Sequence, residues 1–135
     1  MRRALALAVT AATLVAGAAQ AETWTKIYTM DNGATVSFDG DYSYKDRQSG
    51  RLVVMQALSK GALGPSAPGK ADSVGSLVAL DCANKNMISM ASYRPNRPLD
   101  VKATWRSDTP KTATGADNEA LFATVCAKAS NAPIK

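Results

Sequence analysis

Apolar and polar positions alternate through residues 34–39 (Ala-Thr-Val-Ser-Phe-Asp), with Val36 and Phe38 on one parity, the period-two pattern of a strand. Just before it, residues 23–30 (Thr-Trp-Thr-Lys-Ile-Tyr-Thr-Met) are aromatic and β-branched and end at Asp31-Asn32-Gly33, a strong hairpin signal. Asp39-Gly40-Asp41 interrupts the pattern before Tyr42-Ser43-Tyr44. Arg51 to Leu58 predicts a fourth strand, and its run Leu52-Val53-Val54-Met55 is apolar enough to lie centrally in a sheet. Residues 74–82 resume the pattern, Val74, Ser76, Val78, Leu80 and Cys82 having the opposite parity from Leu77, Ala79 and Asp81. Asn84-Lys85-Asn86 turns that strand into another over Met87 to Tyr93, and a last strand is expected over Leu99 to Trp105 with Val101, Ala103 and Trp105 on one face. Thr114 and Asp117 have the Thr-x-x-Asp spacing of a helix start, and Leu121, Phe122, Val125 and Cys126 follow on one helical face. The expected fold class is α+β, an antiparallel sheet of about six strands with a C-terminal helix packed on one face.

Two stretches fall outside this pattern. Residues 60–72 collect Gly and Pro with little bulk and read as a surface loop inside one domain. At the start of the chain, Arg2 and Arg3 precede an apolar run from Ala4 to Ala19, and Ala19-Gln20-Ala21 supplies a small-x-small processing site. Residues 1–21 are therefore expected to be a signal peptide cut between Ala21 and Glu22, leaving a single domain of 114 residues at 22–135 with no transmembrane segment. That implies export, to the periplasm or the cell surface of a bacterium. Cys82 and Cys126 are the only cysteines, and in an oxidising compartment they are expected to pair. Such a bond closes a loop of about 45 residues, stabilises the fold by roughly 4 kcal/mol in the chain-entropy picture, and ties the helix to a strand's end.

Charge and chemistry narrow the function mainly by exclusion. Two of the sixteen basic residues belong to the leader, leaving fourteen against eleven acidic ones, a mild +3. The basic residues are scattered along the sequence, without the dense run usual for nucleic-acid or anionic-lipid binding. Histidine is absent, which removes imidazole bases, Ser-His-Asp and Cys-His arrangements and the usual zinc ligands. Asp39-Gly40-Asp41 reads as a turn rather than a calcium loop, Glu119 as a first-turn helix residue, and Ser59-Lys60 as the mouth of a loop. No enzyme and no cofactor are expected. Among the aromatic residues, Tyr42 and Tyr44 share one strand face and are the candidates for contact with a protein partner.

Several framework residues carry a family resemblance: Trp24 opening the first strand, the Asp39 turn, Leu52 to Met55, Asp81-Cys82, Tyr93, Trp105 with Pro110 five residues on, and Leu121-x-x-x-Val125-Cys126. With these the mature chain resembles the bacterial surface-adhesin protein E family, although Ser43-Tyr44 stands where that pattern has a Ser-Ile pair. The resemblance implies the same disulfide, adhesion to host extracellular-matrix and plasma glycoproteins, and self-association as a homodimer. It carries over no binding segment. The alternative is a periplasmic binding or inhibitor module acting on an envelope protein. A lysozyme inhibitor is disfavoured as the example, because a weakly basic domain suits a basic target poorly.

Overall fold

The computed structural model describes residues 24–59, 74–93 and 99–135, so the processing site at Ala21 and Glu22 and the 60–72 loop lie outside the described residues. The strands are β1 (Trp24–Thr29), β2 (Thr35–Asp39), β3 (Tyr44–Lys45), β4 (Leu52–Ser59), β5 (Val74–Asp81), β6 (Asn86–Tyr93) and β7 (Lys111–Thr112). One helix, α1 (Ala116–Cys126), follows them. The strands form one antiparallel sheet in the order β1-β2-β4-β5-β6-β7, with β3 pairing on β4 beyond the end of β2. This is the α+β architecture that the alternation predicts.

The Asn-Gly step makes the first reversal. Gly33 takes φ of 80°, Asn32 Oδ1 accepts the Ala34 N–H at 2.9 Å, and Met30 N–H donates to the Ala34 carbonyl at 2.8 Å. At the centre, β4 and β5 are apolar on both faces because both faces are covered. Leu52, Val54, Val78 and Leu80 pack with Phe38 against Leu121, Phe122 and Val125 of α1. Val53, Met55, Leu77 and Ala79 pack on the opposite side with Ile88, Met90, Ala91 and Trp105. Two bulges adjust the edges, one in β1 at Ile27 and one in β6 at Met90.

Three local expectations are corrected. Residues Leu99 to Trp105 do not form a strand: the Met90 carbonyl on the β6 bulge accepts the Lys102 N–H at 3.0 Å, and the chain then coils into a 3₁₀ turn at Trp105–Ser107. Trp105 is buried, whereas Val101 and Ala103 are exposed, so the three do not share a face. A single large side chain sinking into the core, with Lys102 bonded to Asp108 beyond it, replaces the even alternation of a strand. Thr114 does not cap α1 either. Gly115 occupies the N-cap with φ of 94°, the Gly115 carbonyl accepts the Glu119 N–H, and the Thr114 carbonyl accepts from Asn118 Nδ2. A glycine at that backbone angle turns the chain from β7 into the helix, which puts the threonine one residue too early to cap. Tyr42 lies in the turn before β3 rather than within the strand.

Candidate functional site

The two tyrosines nevertheless meet. The Asp39–Tyr42 turn, closed by the Asp41 N–H on Asp39 Oδ1 at 3.0 Å, brings the ring of Tyr42 within 6.3 Å of that of Tyr44, at an interplanar angle of 54°. Tyr44 sits opposite Val53 in the β3–β4 pair. Both rings are half-buried and lean on the cluster of Val53, Met55 and Trp105 together with Trp24 and Leu99. Burial raises the phenol pKa of each above its ordinary value. The neighbouring tyrosine adds to this for Tyr42; for Tyr44 the Asp46 carboxylate raises it further and Arg106 opposes. Both phenols therefore stay neutral and able to donate a hydrogen bond at physiological pH.

Beside the tyrosines stands an ion pair that is not legible in the sequence, its carboxylate buried and its guanidinium exposed. Asp46, 2 % exposed, accepts bonds from Arg106 Nε at 3.0 Å and Nη2 at 2.6 Å, a bidentate fork, and from the backbone N–H and hydroxyl of Ser49. These bonds, the guanidinium first, hold its carboxyl well below the usual carboxylate range. Arg106 also stacks on Trp105, its guanidinium carbon 4.7 Å from the ring centroid. Lys135 Nζ lies 5.4 Å from the centre of the Tyr44 ring. The result is a half-exposed aromatic pair flanked by two cations on a rigid base.

The other candidate positions are structural. Cys82 and Cys126 form the expected disulfide, with Cα atoms 5.8 Å apart, and it joins the end of β5 to the last residue of α1. Asp81 accepts from Ala83, Asn84 N–H and Asn84 Nδ2, which lower its pKa and fix the β5–β6 turn. Among the described residues, shallow hollows of about 250–360 Å³ open on the surface. The one beside the disulfide is lined by Phe122, Ala123, Lys85 and Glu119. Among the described residues no three Cys, Asp or Glu side chains gather as a metal-binding group, and no helix is long and apolar enough to cross a membrane. Comparison with known proteins finds no family model, no curated protein and no solved structure that matches this chain.

Proposed function

We propose that this chain is an exported, non-enzymatic bacterial envelope protein of the surface-adhesin E-like kind, binding a protein partner through the corner built by Tyr42 and Tyr44. The observation that carries this reading is the tyrosine pair itself: two neutral, half-exposed rings 6.3 Å apart, backed by a packed cluster. Rigid amphipathic aromatics with adjacent cations are the residue types that concentrate binding energy at protein interfaces. The non-enzymatic part draws on two of the carboxylates. Asp46 and Asp81 are both bonded so as to stay ionised, which suits anchors and not proton carriers. Extracellular-matrix or plasma glycoproteins are the partner class that the resemblance implies, and Tyr hydroxyls beside Arg106 and Lys135 suit an acidic or glycosylated protein surface.

Two measurements test this. Protease added to intact cells should digest the protein without opening the envelope; protection until the envelope is opened would rule out adhesion and leave a periplasmic protein partner. The purified protein should bind immobilised matrix glycoproteins, and Tyr42→Ser with Tyr44→Ser should weaken that binding at least tenfold without lowering the thermal midpoint below that of a folded domain.

A further inference from the structure

Basic residues that are scattered in sequence are gathered by the fold at one end of the sheet. The chain after α1 returns along β3, where the Lys45 N–H donates to the Pro133 carbonyl at 2.8 Å and the Lys135 N–H to the Lys45 carbonyl at 3.0 Å. The Arg47 N–H donates to the Lys135 carbonyl at 2.8 Å, and Lys45 pairs in parallel with Ile134. Lys45, Arg47 and Lys135 are thereby interleaved, and Lys128 lines a hollow with Ala132 and Pro133 of the same returning segment. All four are exposed, and neither of the two ion pairs among the described residues involves them. Of the carboxylates in the adjoining turns, Asp39 and Asp46 are buried and Asp81 is bonded within its own turn, which leaves Asp41 exposed.

One exposed apolar residue pairs with Lys45 and precedes Lys135 in the chain. Ile134 is 60 % exposed, the most exposed large hydrophobic residue among those described, and its neighbours in the chain are Pro133 and Lys135. A soluble polyanion offers such a side chain nothing to enter, whereas an anionic bilayer offers headgroup charge to the cations and the acyl boundary to the isoleucine. We propose that the β3 and C-terminal end of the sheet docks on an anionic lipid surface, through Lys45, Arg47, Lys128 and Lys135 with Ile134 inserted among the headgroups. This goes beyond the partner contact assigned to the tyrosines, with which it shares only Lys135.

The test is co-sedimentation of the purified protein with vesicles of phosphatidylcholine mixed with phosphatidylglycerol, against phosphatidylcholine alone. Binding should require the anionic lipid and fall as salt is raised. Each basic side chain at a membrane surface contributes about fivefold, so Lys45→Glu with Arg47→Glu should weaken partitioning by at least about twenty-fivefold. Ile134→Ser should weaken it several-fold in a way that salt does not reproduce. The charge-matched control Lys26→Glu with Lys102→Glu should bind as the wild type does, and circular dichroism should show every variant folded. Tyr42→Ser alone, which leaves the Tyr44 ring in place beneath Lys135, should keep vesicle binding, which separates this surface from the tyrosine corner. Equal binding to neutral and anionic vesicles, no binding to either, or binding to a soluble sulfated polysaccharide without binding to vesicles would each overturn the proposal.

Discussion

Asp46 shows how one side chain joins distant parts of this chain. Its carboxylate fixes the turn into β4 through Ser49 and, 60 residues on, holds Arg106 against Trp105. Asp46→Asn should lower stability by about 2 kcal/mol at neutral pH, read from urea unfolding, because bonds to a charged acceptor become bonds to a neutral amide that presents an N–H₂ where a donor already points. The sign of the pH dependence follows from the depressed pKa. The stabilisation is present above the unfolded carboxylate's value of about 4 and is lost as pH falls below it toward the folded value. The wild type should therefore lose stability more steeply than Asp46→Asn when acidified from pH 5 to pH 3. None of this network is legible in the sequence, since Asp46 and Arg106 share no motif and only tertiary packing brings them together. The tyrosine pair was half legible: the residues are those the alternation singles out, but a turn, not a common strand face, unites them.

At the scale of elements, the sequence is clearest where one physical signal dominates. Val36 and Phe38, the Asn32-Gly33 reversal and the buried stripe of Leu121, Phe122 and Val125 all fall where their patterns place them. Where two signals compete, local pattern misleads. The alternation through Val101, Ala103 and Trp105 looks like a strand, yet burial of one indole outweighs pairing along the β6 edge. The Thr-x-x-Asp spacing looks like a cap, yet Gly115 enters a backbone region closed to other residues. Gly115→Ala should cost roughly 1–3 kcal/mol, since its φ is 94° and an added Cβ would lie 2.9 Å from Asp117 Oδ1. Replacing Cys126 by serine should cost roughly 4 kcal/mol in the chain-entropy picture, and the loss should appear as a lowered urea midpoint for the refolded variant.

Across the whole molecule, β4 and β5 contribute to both packed layers, so neither layer can melt alone. Unfolding followed by tryptophan fluorescence, which reports Trp24 and Trp105 on one side of the sheet, should coincide with unfolding followed by the helical dichroism of α1 on the other. Two separated transitions would show that the layers are independent. The basic end of the sheet also belongs to this scale: residues 45–47, 128 and 133–135 are far apart in sequence, and no linear charge count could have joined them. The double burial of the central strands has one more consequence. A strand with one wet face is kept in step by its alternation, because sliding by one residue would turn its apolar set to water. Leu52-Val53-Val54-Met55 and Leu77-Val78-Ala79-Leu80 have no wet face, and a slip by one would still present apolar groups to both layers. What remains to set the alignment is the shape of individual side chains, the bulge at Met90, the hydrogen-bonded turn at Asp81 and the covalent tie from Cys82 to Cys126. The central strands of this protein are told where to stop by what lies at their ends.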